Sequence, residues 1–290
     1  MLNSRLNSQI QFFEDFKSRT QLVYQINYMM HFLEHYDIEG KDVLEVGGAL
    51  PKEFVIDFLG CKSWTCTESS QYDEALNMEA NQYHKTSSAQ HSDSYVVHVK
   101  NIEDFEPVFD ERFDCIFSVA CFEHIGRLPE ALETMYRVLK PGGVLFSLYA
   151  PIWSCATGHH LEHISIPDRF AGVQQILEPW EHLLKNRSSL YRDLISKFDK
   201  SFADRVVYEV FNNPFINRYH SEDYFELIGA SKFIVDELSP QWMLPVPSDT
   251  QEKLERACFG YKQFSNMGIL CRVHKPPEPP LAQAQSGPSA

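Results

Sequence analysis

The sequence holds no apolar run long enough to cross a bilayer and no Cys-x-x-Cys pair. Its first residues, MLNSRLNSQI, lack the hydrophobic centre of a secretion signal. The seven cysteines are odd in number, and several sit inside apolar runs, Cys115 in FDCIFSV and Cys271 in GILCRV. There they read as small core residues rather than a disulfide or zinc framework, and a reducing, cytoplasmic setting is expected. Basic charge is short as well: 26 Lys and Arg stand against 40 Asp and Glu, a formal charge of −14. Nucleic-acid binding needs a basic surface that displaces counterions, so nucleic acid is disfavoured as a partner.

What the chain does have is apolar residues, 43% of 290, enough for one large domain or a domain plus a lid. Residues 9–36 carry Phe12, Phe13, Phe16, Val23, Ile26, Met30 and Leu33 at helical spacing, up to the break at Gly40. DVLEV (42–46) is a short buried strand followed at once by Gly47-Gly48, and KEFVIDFL (52–59) is helical. SWTCTE (63–68), YVVHV (95–99), FDCIFSV (113–119) and VLFSLY (144–149) are further strands, with a helix and loop over 71–94. Leu128–Leu139 is a helix with Pro129 in its first turn, where the missing N–H is harmless, and Pro141-Gly142-Gly143 stops it. Strands alternating with helices imply a parallel sheet covered on both faces.

The pattern changes after residue 155. Residues 156–220 are aromatic-rich and helical in character, with eight acids balanced by eight bases. A helix over 221–229 and strands at FIVDEL (233–238) and GILCRVH (268–274) follow. The expected organisation is an N-terminal helical cap (1–40), a core (41–155), a helical lid over the acceptor (156–220), the end of the core sheet (221–274) and a disordered tail (275–290).

Gly47-Gly48 between a strand and a helix lets the backbone approach a ligand at the strand's carboxyl edge. Glu68 closes the next strand 21 residues after Gly47, a distance suited to an acid that binds ribose hydroxyls. A nicotinamide dinucleotide would need glycines at G-x-G-x-x-G spacing, which Gly47, Ala49 and Lys52 do not supply.

The run VLEVGGALP, with FDCIFSVACFEHIGRLPEALETMYRVLKPGGVLFSLYAPIWS after it, resembles class I S-adenosylmethionine-dependent methyltransferases of the small-molecule branch. The resemblance covers residues 41–153 well and 221–274 loosely. It implies an α/β, Rossmann-like, seven-stranded and mostly parallel sheet with helices on both faces, with S-adenosylmethionine as cofactor. It implies that Glu45, Gly47, Gly48 and Ala49 hold the methionine part and Glu68 the ribose. Asn101 and Ile102, with Glu103 beside them, would flank the adenine, and Ser118 through His124 would line the transfer site. The family's glycine motif departs here at Ala49 and Pro51, which replace its second and third glycines. That departure keeps a non-catalytic scaffold open as an alternative.

Methyl transfer to a hydroxyl or a protonated amine also needs a proton acceptor, and histidine titrates near neutral pH. Three of the 12 histidines cluster in Gly158-His159-His160-Leu161-Glu162-His163, just past the fifth strand. His124 follows Glu123 past the fourth strand, so the two places are expected to be close. His159 or His160 would serve as base with His124 assisting. The rival is a metal site of His159 and His163 with Glu162 or His124, though no complete metal signature accompanies them and none is assigned. Arg218, Tyr219 and His220 are expected to reach the pocket. The reading is O-methylation of a small molecule, with N-methylation of a small amine as the alternative.

Overall fold

A computed structural model describes residues 2–69, 92–170 and 172–278. The described residues hold seven strands: β1 Asp42–Val46, β2 Ser63–Glu68, β3 Tyr95–Val99, β4 Phe113–Val119, β5 Leu139–Tyr149, β6 Ile234–Met243 and β7 Asn266–His274. They form one sheet in the order β3-β2-β1-β4-β5-β7-β6. The first five run parallel, while β7 is antiparallel to both β5 and β6. The mixed but mostly parallel sheet expected from the sequence is therefore present. Order reverses beside β1, and the carboxyl ends of β1 and β4 open there, the usual ligand crevice of such sheets.

Burial explains the strand sequences. β1 and β4 lie mid-sheet and are buried almost throughout, because both faces are covered. β6 is an edge strand, largely exposed, and tolerates Pro240. One face packs Leu44, Ile116 and Leu145 against α3, Leu128–Val138, and α7, Ser221–Gly229. The other packs Val43, Phe117 and Phe146 against α1, Leu2–Thr20, and α2, Val23–Leu33. Phe32 of α2 is fully buried, 5.5 Å from Phe117 and 5.4 Å from Phe146. Such a buried side chain contributes on the order of 1.5–3 kcal/mol.

Some boundaries differ from the sequence reading. The helix expected over 9–36 is two helices, because Gln21 adopts a left-handed backbone (φ 64°) between them. Residues 52–59 form a π-helical turn, Glu53–Phe58, rather than a regular helix. Pro51 is accommodated, since its carbonyl accepts from Phe54 and Val55. Leu139 begins β5 instead of ending α3, as its extended backbone shows. Of the helix and loop expected over 71–94, only 92–94 falls within the described residues; the tail beyond 278 does not.

Residues 156–220 contain no strand in their described part. They hold α4 Glu181–Leu184, α5 Arg187–Lys197 and α6 Lys200–Asn212. Asn186 and Asp199 cap α5 and α6 by accepting from Ser189 and Phe202 N–H. Leu190, Leu194, Phe198, Phe202, Val206 and Val210 make a separate small core with Trp153 and Leu161. Its aromatics thus mostly build packing. A last helix, α8 Ser248–Ala257, lies between β6 and β7 and was not foreseen. No helix among the described residues is long and apolar enough to cross a membrane.

Candidate active site

The glycine turn after β1 is held from beneath. Glu45 is buried, and its Oε2 accepts from Leu50 N–H (2.8 Å) and Trp64 Nε1–H (2.7 Å), with Cys66 Sγ at 3.5 Å. Leu50 in turn accepts from the Tyr95 hydroxyl at 2.8 Å. Burial pushes the Glu45 carboxyl up to about 7 against these bonds. Glu45 therefore braces the turn that was expected to present it to a ligand.

The two glycines are required by neighbours. Gly47 has φ 78°, and a Cβ there would stand 2.5 Å from the Cys121 Cβ. A Cβ on Gly48 would stand 2.5 Å from Glu45 Oε1. Ala49 is buried and meets no such limit, which accounts for the loss of the second glycine.

Glu68 ends β2 beside this turn. Its Oε1 accepts from Ser69 N–H at 3.1 Å, and desolvation pushes it up to about 7, with Glu45 adding to the effect. No cation pairs with it among the described residues. A desolvated carboxylate of this kind takes hydroxyl donors well, which fits the two vicinal hydroxyls of a ribose. Lys100 N–H donates to the Glu68 carbonyl (2.7 Å), joining the ends of β2 and β3. Asn101 and Ile102 follow at the start of a 3-10 turn; Asn101 is half-buried and Ile102 belongs to the core. Ser118 is fully buried and donates to the Val46 carbonyl at 2.9 Å, a strut between β4 and β1.

Past β4 the chain makes a 3-10 turn, Phe122–His124. Glu123 is fully buried there, and neither carboxylate oxygen has a hydrogen-bond partner of good geometry. Burial pushes it up to about 8, against the Glu123 and Ala150 N–H groups that lean towards it. Its charge is felt by Tyr28, Tyr149 and Tyr224. His124 is half-buried; its Nδ1 lies 2.6 Å from the Phe215 carbonyl and its Nε2 lies 4.0 Å from Glu123 Oε1. A carbonyl can only accept, so Nδ1 carries the proton and Nε2 keeps its lone pair. Burial lowers the His124 pKa, so the ring stays neutral.

The histidine loop after β5 meets this turn, as expected. The His160 ring stands 5.0 Å from the His124 ring. His159 turns elsewhere: its Nδ1 accepts from Leu161 N–H (3.2 Å) and its ring packs on buried His182, 5.3 Å away. Burial brings His159 down to about 4 and His182 to about 3. The side chain of His163 lies outside the described residues. Gly158 serves close packing rather than freedom to turn, because a Cβ there would collide with the Ile152 and Trp153 carbonyls.

Residues 60–147 match the family described as "Methyltransferase domain". Within the core, residues 60–147 are thus similar to a methyltransferase domain. A curated relative, sterol 24-C-methyltransferase of Candida albicans, is 32% identical over 123 residues, covering 41% of this chain and 31% of that protein. The chain thus matches about a third of that relative's length. Among solved structures, an S-adenosylmethionine-dependent methyltransferase from Listeria monocytogenes aligns with a TM-score of 0.47 at 11% identity, covering 83% of this chain and 93% of the other. A methyltransferase in complex with the Trm112 activator, from Haloferax volcanii, aligns at 0.45 and 14%, covering 92% and 96%.

Around this core the structure uses residues that the sequence reading overlooked. Asn217 clamps the 122–125 turn: its Nδ2 donates to the Phe122 (2.6 Å) and Ile125 (3.1 Å) carbonyls, and its N–H to the Glu123 carbonyl at 3.0 Å. Trp64 and Tyr95 hold the glycine turn. Neither set has a spacing signal, since each partner lies in another element. Arg218, Tyr219 and His220, expected in the pocket, are engaged elsewhere. Arg218 donates to the carbonyls of Val210, Asn213 and Ile216, Tyr219 donates to Gly126, and His220 stacks on Tyr261 at 3.9 Å.

Proposed function

We propose that this chain methylates a hydroxyl of a small molecule, with His124 as the general base. The observation that carries this reading is the His124 ring, whose Nδ1 is fixed on Phe215 and whose Nε2 lone pair stands beside Glu123 and His160. The cofactor, S-adenosylmethionine, supplies an electrophilic methyl group with its leaving group attached. Glu68 would take its ribose hydroxyls, Gly47, Gly48 and Ala49 its methionine part, and Asn101 and Ile102 its adenine. Glu45 and Ser118 would shape the site without touching the cofactor.

His124 Nε2 takes the acceptor proton as the oxygen attacks. The imidazolium so formed lies 4.0 Å from Glu123 Oε1. Burial keeps that carboxyl protonated up to about 8, so Glu123 faces the ring as a polar neighbour rather than a full counter-charge. His160 borders the acceptor and orients it. His159 is not the base in this reading: a neutral ring whose Nδ1 accepts must carry its proton on Nε2, leaving no lone pair. The even charge balance of the 156–220 segment and the sterol named for the curated relative both accord with a small acceptor.

A second reading is N-methylation of a small amine. It is favoured by the buried Glu123 carboxyl among Tyr28, Tyr149 and Tyr224, a setting that suits a cation. The test is transfer of labelled methyl from S-adenosylmethionine to a panel of phenols, sugars and amines. The proposal expects label on hydroxyls, and a fall of roughly 10²–10⁴ in kcat for His124→Ala. Label on amines alone, with His124→Ala fully active, would favour the second reading.

A further inference from the structure

We propose that the C-terminal turn of α2 is a binding site for a divalent transition cation of the zinc class, built from His31, Glu34 and His35. One ligand atom from each lies within 4.8 Å of the others. His31 and His35 are one helical turn apart, so both rings leave the same face, and their centroids stand 5.3 Å apart at 87°. Glu34 already turns its Oε2 towards His31 Nδ1, at 3.0 Å. Two imidazoles and one carboxylate are a donor set that zinc-class ions prefer over magnesium or calcium, with water completing the coordination. Among the described residues this is the one group of three such side chains that converges so closely.

Three further features suit a cation. The cluster straddles the end of α2, at Leu33 and its C-cap Glu34, the negative pole of the helix dipole. The helix beneath is rigid: Ile26, Met29, Phe32 and Leu33 are buried, and the His31 ring packs edge-on against Phe146 at 5.8 Å. Arg272, the cation near His35, is paired with Glu237 through bonds of 2.8 and 2.7 Å.

The test is calorimetric titration of zinc into the metal-free full chain, alongside melting curves. The proposal expects one saturable equivalent and a raised Tm. His31→Ala and His35→Ala should each weaken binding by on the order of tenfold or more, and Glu34→Gln by less. His35 is exposed, so the metal-free Tm of His35→Ala should match the parent, which separates lost ligation from lost packing. Zinc affinity unchanged in the doubly substituted His31→Ala, His35→Ala chain would overturn the proposal. So would saturation only above about 1 mM. Neither readout depends on methyl transfer, so the site stands or falls apart from the proposed activity.

Discussion

Asn217 holds Glu123 in place: its N–H donates to the Glu123 carbonyl at 3.0 Å, while its side chain grips the carbonyls on either side of it. Asn217 also accepts from the Tyr224 hydroxyl at 2.9 Å, and Tyr224 is fully buried. The chain leaving the helical segment thus fixes the turn that carries Glu123 and His124. Asn217→Ala would leave several buried groups without partners, and each such loss is worth about 1–3 kcal/mol. Urea unfolding should show a drop of about 2 kcal/mol or more. Turnover should fall while S-adenosylhomocysteine affinity holds, since Glu68 and the glycine turn are untouched.

Gly47→Ala forces a methyl group into Cys121 and a side chain into φ 78°. The expected loss is about 1–3 kcal/mol, together with weaker cofactor binding. Cys121→Gly in the same chain should recover part of the stability, because it removes the collision but not the backbone strain. A double-mutant cycle measures this; simple additivity would mean that the two side chains do not compete for the space.

The buried acids make a pH prediction. Glu123 keeps its proton up to about 8 in the fold but loses it near 4.5 when unfolded. Between these values the folded state binds more protons, so this group lowers stability as pH rises. Glu45 acts the same way up to about 7. His159 and His182 act oppositely, adding stability as pH rises from about 4 and about 3 towards 6.5. Glu123→Gln should therefore be more stable than the parent at pH 7–8 and lose that advantage near pH 4. Denaturation midpoints across this range check the sign.

Trp64→Phe keeps the buried ring but removes the donor to Glu45 Oε2. It should reduce stability by about 1–3 kcal/mol and loosen the 47–50 turn. Calorimetry should then show cofactor affinity falling with little change in the acceptor KM.

Much of this was legible in the sequence. The strands β1 to β4, α3 and α7 announced themselves through apolar runs and periodicity, and the glycine turn through Gly47-Gly48. The approach of His160 to His124 followed from both lying past strands whose carboxyl ends share an edge. What was not legible came from contacts across the chain. Glu45 looked like a ligand residue, because nothing local reveals that Trp64 and Leu50 occupy its Oε2. Glu123 stood out only as one of the residues from Ser118 to His124, because its burial depends on Tyr149 and Tyr224 from other elements. Arg218 looked free to reach a ligand until the carbonyls at the end of α6 claimed it.

The central claim is that the edge formed by Gly47, Glu68 and Asn101 binds S-adenosylmethionine. Calorimetric titration with S-adenosylhomocysteine, on the parent chain and on Glu68→Ala, tests it most directly. The account predicts one saturable site and a raised Tm for the parent, with affinity reduced roughly tenfold or more in the variant, as for a lost hydrogen bond to a charged group. No heat and no shift at about 1 mM ligand, or equal affinity in both proteins, would contradict it.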